Sequence, residues 1–545
     1  MQLKSSVLSA AVKSALVAAG LAAGVASAMT PGAYEATAQG RNADITVRVT
    51  VSADKIEKIE IVKHSETPGI GDLAVNELPA AMLSAQTAAV DAVGGATMSS
   101  AAIKKAVAEA LRKAGASDKF LTAPKAGADK AAAADFKTSA DVIVVGAGGA
   151  GMVAAATAVD NGATVIVLEK MAMLGGNTAR SEGNMSAMDP EPEKLLPMTQ
   201  AVRDIIAKYT NSKVACSPEA AELQKTVLKQ LAEHDAAGKK YIFDSPELFA
   251  LQTIVGGNCK NDAKLVLTMT RNATAAMKWL DVQSDMTWFH VPRSWVDVGS
   301  GGLYPRGQWP RQADGKTPIS TYDAYIRPLA AKVEVAGNPI YKNMKVVRVE
   351  RDASGRVTGV KAVDRKGVER VFSGRSVVLA AGGYGANLQM VKKYNDISVT
   401  VTSNSPGTTG EVLEEAVAAG AGLTGMEWIQ LHPHGNPKNG ELESTIAARP
   451  SDTPYVNCDG LRFVDETGRR DVFSFGILKQ TGQVAFSIYD QRTIEEKKIE
   501  SAIAHGYAFK ADTLEDLARQ AGIDWKNFEK TINNSCLIEG FIVTC

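Results

Sequence analysis

Asp141-Val142-Ile143-Val144-Val145 runs straight into Gly146-Ala147-Gly148-Gly149-Ala150-Gly151, and the small-residue stretch Met152–Asn161 leads on to Thr164-Val165-Ile166-Val167-Leu168 and Glu169. A short, apolar, β-branched run is what a central parallel strand requires. The glycines behind it allow a tight turn and close approach of a pyrophosphate, and the helix after them points its N-terminal N–H groups at the phosphates. Glu169 stands 23 residues after Gly146, where an acid can take ribose hydroxyls. A lone Gly-x-Gly-x-x-Gly carries little weight. Both strands, the helix and the acid together predict a dinucleotide-binding βαβ unit, and the acid favours FAD or NAD over a 2′-phosphorylated nucleotide.

The segments beyond the acid separate FAD from NAD. Gly175-Gly176-Asn177-Thr178 and Ser181-Glu182-Gly183-Asn184-Met185-Ser186-Ala187 come next, then Val346-Val347, Ser376-Val377-Val378-Leu379-Ala380-Ala381-Gly382-Gly383-Tyr384-Gly385 and Thr409-Gly410-Glu411. In order and spacing these resemble the fumarate reductase/succinate dehydrogenase flavoprotein family, specifically its exported branch, over residues 140–530 or so. The resemblance implies non-covalent FAD held by Gly146, Gly148, Ala150, Gly151, Glu169, Asn177, Thr178, Gly183, Val347, Ala381 and Glu411, the last replacing the family's Asp.

Further along, His432-Pro433 follows Trp428-Ile429-Gln430-Leu431, and Arg449 precedes Asn457-x-x-Gly460-x-Arg462-Phe463 and Arg469-Arg470-Asp471. The resemblance implies that His432 and Arg449 bind a substrate carboxylate and that Arg470 protonates the substrate. In that chemistry hydride reaches the β-carbon of an α,β-unsaturated carboxylate, charge builds toward the carboxylate, and His and Arg donors stabilise it. Arginine is an unusual acid, with a pKa above about 12, so a relay must refill it. Family members place an acid three residues before the arginine matched by Arg449. Here that position is Ile446. Either Glu443 moves into place, or the relay and substrate differ. His434 has no assigned role, His290 is assigned to packing, and Gly299–Gly302 is expected to approach the flavin.

Upstream, Thr46–Ser52 and Lys55–Val62 read as half-buried strands, and Ala101–Lys113 as a helix capped by Ser99 or Ser100. Between them, Asp91-Ala92-Val93-Gly94-Gly95-Ala96-Thr97-Met98-Ser99 is a small-residue loop feeding a helix N-terminus. It resembles the flavinylation motif of FMN-binding domains, as does the loop Glu66-Thr67-Pro68-Gly69-Ile70-Gly71. Gly94 stands where that family usually has Ser or Thr. The resemblance implies covalent FMN, esterified to Thr97 by a separate flavin transferase.

The whole chain has 545 residues, with 60 Lys+Arg against 60 Asp+Glu and only 6% aromatic residues. Zero net charge gives no electrostatic case for nucleic acid. The cysteines are Cys216, Cys259, Cys458, Cys536 and Cys545; no CxxC suggests zinc, an Fe–S cluster or c-type haem, and no metal is expected. Scattered and odd in number, they do not read as a disulfide framework, and the first three are expected as small buried hydrophobes. Lys4, Lys13, the apolar Ser14–Ala28 and the Ala26-Ser27-Ala28 site read as a secretory signal peptide, so a periplasmic protein that is not integral to the membrane is expected. The family match fades after Asn533, and the chain reads as cut near the end of its capping domain.

The fold class expected is α/β: a signal peptide (1–28), a small α+β FMN-binding domain (29–115), a linker (116–138), a doubly wound Rossmann-like FAD-binding domain (139–431) and an incomplete capping, substrate-binding domain (432–545). Without haem motifs, FMN is the expected electron entry, fed by a quinol-linked or cytochrome donor. The expected activity is reduction of a small unsaturated carboxylate, fumarate-like or urocanate-like, in anaerobic respiration. An FAD dehydrogenase or oxidase, or a non-catalytic FMN electron carrier, are the alternatives.

Overall fold

The computed structural model describes residues 29–122, 136–533 and 541–544, apart from breaks at 42, 67–70, 91, 94–95, 285, 291–303, 439, 441, 443–453, 467–468, 491–498, 501 and 504–505. Residues 1–28, read as a signal peptide, most of the loop 66–71, Gly299–Gly302, Glu443, Ile446 and Arg449 lie outside the described residues. The chain divides into two compact units, up to Phe136 and from Lys137.

In the first unit, β1 (Gly32–Gln39), β2 (Asp44–Val51) and β3 (Ile56–Lys63) form an antiparallel meander. The alternation along β2 turns Ile45, Val47, Val49 and Val51 to one buried face. Helices Gly71–Ala85 and Thr97–Lys113 pack on the sheet, burying Leu78, Met82, Ile103, Val107 and Leu111. The second helix starts at Thr97, earlier than expected, and neither serine caps it. Its N-cap is Ala96, without a side-chain bond. The Ser99 hydroxyl instead donates to buried Glu66, and the Ser100 hydroxyl accepts from Val93 N–H at 3.0 Å. Phe120 is buried, and its carbonyl accepts from Ala88 N–H at 2.9 Å and from the Thr87 hydroxyl at 3.1 Å.

The second unit opens with β4 (Ser139–Val145), helix Gly149–Asp160 and β5 (Val165–Leu168). Then come β6 (Met185–Ser186), β7 (Thr287–His290), β8 (Gly307–Arg311), β9 (Ile340–Tyr341), β10 (Met344–Arg351), β11 (Val357–Asp364) and β12 (Glu369–Leu379). The main sheet has the order β10-β11-β12-β4-β5-β9. Its four strands from β12 to β9 are parallel, and β10 to β12 form an antiparallel meander at one side. Val144, Val165, Val167, Met152, Ala155 and Ala156 are fully buried, so the fingerprint helix and the first two parallel strands share one core.

Strands β6, β8 and β7 form a second, small antiparallel sheet. A third sheet carries β13 (Tyr455–Val456), β14 (Phe486–Asp490), β15 (Ala508–Lys510) and β16 (Phe541–Thr544) in the order β13-β14-β16-β15. The last residues, read as unlike the family, thus supply an inner strand of that sheet.

Helices Gln200–Thr210, Pro218–Ala236 and Pro246–Gly256 build a core of their own around Val202, Ile206, Leu223, Val227, Leu248 and Leu251. Each has a Ser or Thr N-cap accepting a backbone N–H of the first turn. Here two cysteine expectations are overturned. Cys216 and Cys259 form a disulfide with a Cα–Cα distance of 5.8 Å, 43 residues apart in sequence. Sequence spacing cannot reveal such a bond, because it depends on the approach of Cβ atoms in space. Cys458 is a free, half-buried thiol. No described helix is long and apolar enough to cross a membrane.

Candidate active site

A cleft opens at the carboxyl end of β4 and β5, where the chain turns from strand into helix. Open α/β sheets bind ligands at that end of their strands. Gly146 adopts φ +101°, and a Cβ there would lie 2.5 Å from the Ala380 carbonyl oxygen. Only glycine fits this turn. Gly151 does not line the cleft; it lets the helix sit against the strand turn, since a Cβ would collide with the Gly146 carbonyl. Gly148 differs from both. A Cβ there would meet only the Gly175 carbonyl at 3.8 Å, and one at Gly383 would meet nothing within 4 Å. Both line the cleft, so they leave space for a bound group rather than for packing.

Glu169 closes β5 with its side chain buried. One carboxylate oxygen accepts from Ala147 N–H at 2.9 Å and the other from Met171 N–H at 2.8 Å. Burial pushes the carboxyl above its usual range, and these backbone donors oppose the shift. The Thr178 hydroxyl accepts from Gly149 N–H at 3.2 Å, and the Asn177 amide donates to Asn404 at 2.7 Å while accepting from Ser405 N–H. The segment after the acid is thereby tied to both the fingerprint helix and the loop at 404–411.

Glu411 starts helix Glu411–Ala418, behind Gly410 at φ +84°. Its carboxylate takes Lys170 at 2.9 Å, Lys345 at 3.1 Å and the Thr409 hydroxyl. Burial would raise its pKa, but the bonds from Thr409 and Lys170 outweigh that and hold it at about 2.

Of the residues expected to hold a dinucleotide, Gly146, Gly148, Ala150, Glu169, Asn177, Thr178, Ala381 and Glu411 line this one cleft. Val347 does not. It is the extra residue of a β-bulge between Val346 and Arg348, and Met344, Lys345 and Val346 line the cleft instead. Gly183, at φ +79°, is also outside the lining and accepts the Tyr325 hydroxyl at 2.6 Å through its carbonyl. The cleft combines a helix N-terminus, glycines that face open space and a buried acid. This donor set fits FAD.

A second cluster gathers around His432. The His434 N–H donates to His432 Nδ1 at 3.3 Å, and the two rings lie 5.4 Å apart. Tyr455 Oη sits 2.9 Å from His434 Nδ1, and the Tyr455 and Phe473 rings meet edge-on at 4.6 Å. Arg470 begins helix Arg470–Leu478, which carries Phe473 and Ser474, and the Ser474 hydroxyl donates to the Leu431 carbonyl at 3.3 Å. Burial lowers both imidazoles to about 4, with further lowering from the Arg470 guanidinium and, for His432, from His434. Both are therefore neutral at pH 7, beside a permanent cation. His432 and Arg470, 38 residues apart in sequence, are brought into one electrostatic neighbourhood.

Residues 141–234 and 226–505 match the FAD binding domain family, and residues 40–112 match the FMN-binding domain family. The chain is a member of the FAD-dependent fumarate reductase/succinate dehydrogenase flavoprotein family. This flavoprotein is 33% identical over 537 residues to the NADH:acrylate oxidoreductase of Vibrio harveyi, covering 93% of this chain and 52% of that protein. It is 30% identical over 514 residues to the urocanate reductase of Eggerthella lenta, covering 92% of this chain and 75% of that one. It thus spans about half the length of the first relative and three quarters of the second. In fold it is similar to the open conformation of a flavocytochrome c3 fumarate reductase, with a TM-score of 0.56, 24% identity, and coverage of 78% of this chain and 70% of that one. The flavoprotein carries an FAD-binding and an FMN-binding domain.

Several residues of the flavoprotein's site escaped the sequence reading. Lys170, Asn404 and Ser405 on loops and Lys345 on β10 come together from segments whose approach no spacing rule encodes. His434 was visible as an unassigned histidine beside His432. Its partner Tyr455 stands 21 positions further along the sequence.

Proposed function

We propose that this flavoprotein reduces the carbon–carbon double bond of a small α,β-unsaturated carboxylate. The observation that carries the reading is the placing of His432, His434 and Arg470 in one cluster, within the same compact unit as the FAD cleft. Bound FAD supplies hydride chemistry; the chain's own residues do the rest. Neutral imidazole N–H groups at His432 and His434 donate to the substrate carboxylate without needing a proton from solvent. The Arg470 guanidinium stabilises charge that builds toward that carboxylate and holds the proton for the α-carbon. Arg449 joins the carboxylate site on the family's pattern. The relatives named for acrylate and urocanate support the substrate class.

The same proposal includes FMN esterified at Thr97 by a flavin transferase, electrons entering there from a quinol-linked or cytochrome donor, and export to the periplasm. The Cys216–Cys259 disulfide supports export, because such bonds persist in oxidising compartments. The decisive assay uses the full chain with both flavins and a reduced viologen dye, offered acrylate, urocanate, cinnamate and fumarate separately. Dye oxidation with at least one enoate is expected. Oxidation with none, alongside reduction of a separate high-potential acceptor dye by a saturated acid, would reassign the chain as a dehydrogenase.

A further inference from the structure

The first unit buries a carboxylate that the proposed reaction does not use. Glu66 is 4% exposed. One of its oxygens accepts from Arg41 N–H at 2.9 Å, in the turn between β1 and β2, and the other accepts the Ser99 hydroxyl. Two glycines make room for it. A Cβ at Gly71 would lie 2.8 Å from both the Glu66 carboxylate and Ser99 Oγ, and a Cβ at Gly40 would collide with the same carboxylate. A buried carboxylate is costly unless hydrogen bonds satisfy it, and here both oxygens are satisfied by segments distant in sequence.

These bonds fix the first turn of helix Thr97–Lys113. Ser99 is its third residue, held by Glu66; Ser100 is its fourth, and its hydroxyl accepts from Val93 N–H on the preceding loop. Ala96 N–H donates to the Val93 carbonyl at 3.0 Å. The backbone at Thr97 is therefore clamped from both sides.

We infer that Glu66 is a positioning residue for flavin attachment: through Ser99 it sets the helix turn that presents Thr97 to the transferase. The inference rests on the reading of Thr97 as the acceptor. In that reaction the Thr97 oxygen bonds to the flavin-side phosphorus of a flavin pyrophosphate such as FAD. The bond from that phosphorus to the nucleotide leaving group breaks, and the hydroxyl proton leaves with AMP. No redox partner is needed.

The test coexpresses the full chain with a flavin transferase and measures covalent flavin per chain by in-gel fluorescence and intact mass. Folded fraction is followed by protease resistance of the first unit. Thr97→Ala should carry no covalent flavin; if it still does, the acceptor reading fails, whatever Glu66 does. Glu66→Ala and Ser99→Ala should each lower incorporation by about tenfold or more in the folded fraction, as expected for loss of a charge-assisted hydrogen bond. Ser99→Thr, which restores the hydroxyl, should recover it. If Glu66→Ala does not fold, Ser99→Ala and Glu66→Gln decide. Wild-type labelling in both overturns the inference, and loss in folded Ser99→Ala with recovery in Ser99→Thr supports it.

Discussion

At the level of single side chains, the cluster of His432, His434 and Arg470 makes two separable predictions. Arg470 is exposed at a helix start, so its removal costs little packing. Arg470→Ala is expected to fold like the wild type and to lose enoate reduction by about 10²–10⁴-fold, the range for a positioned proton donor. Steady-state rates beside a thermal melt check this; an unchanged rate removes Arg470 from the chemistry. The histidines make a pH prediction. Both have folded pKa values near 4, below the usual imidazole value of about 6.5. Between these values the unfolded chain binds more protons than the folded one. Stability is therefore fully present above about pH 6.5 and is lost as pH falls toward 4. Urea midpoints should drop between pH 7.5 and 5, and His432→Gln with His434→Gln should flatten that drop.

At the level of elements, the strand–turn–helix unit assigns different work to glycines that look alike in sequence. Gly151 is required by helix–strand contact, whereas Gly148 faces the open cleft. Gly151→Ala is expected to destabilise the whole unit. Gly148→Val is expected to fold and to lose FAD, because its side chain would fill the place of the bound group. Released FAD after acid precipitation, measured with the melting temperature, separates the two outcomes. A folded Gly148→Val protein with full FAD would show that this cleft is not the dinucleotide site.

Across the whole molecule, covalent closure is the testable feature. The Cys216–Cys259 bond ties the start of helix Pro218–Ala236 to the loop after Pro246–Gly256. A cross-link closing a loop of this length stabilises by about 3–4 kcal/mol on loop-entropy grounds. Cys216→Ser is expected to lower the melting temperature by several degrees, and dithiothreitol should do the same to the wild type but not to the variant. Flavin accounting tests the two-domain organisation: acid should release FAD to the supernatant and leave FMN on the pellet.

Sequence alone determined the dinucleotide strand–turn–helix, the order of FAD segments and two of the three N-terminal strands, and it singled out His432 and Arg470 through the family resemblance. The strands and the strand–turn–helix are local periodicities and spacings, which the chain carries wherever it folds; the rest came from motifs that resemble the family's. Only the tertiary structure decided that Ser99 serves a buried carboxylate rather than a cap, that Cys216 meets Cys259, that a bulge turns Val347 out of the cleft lining, and that His434 is held by Tyr455. Each of those depends on two segments distant in sequence arriving at bonding distance. The free energy that selects such a meeting comes from packing the surrounding cores, and no short stretch of sequence contains it.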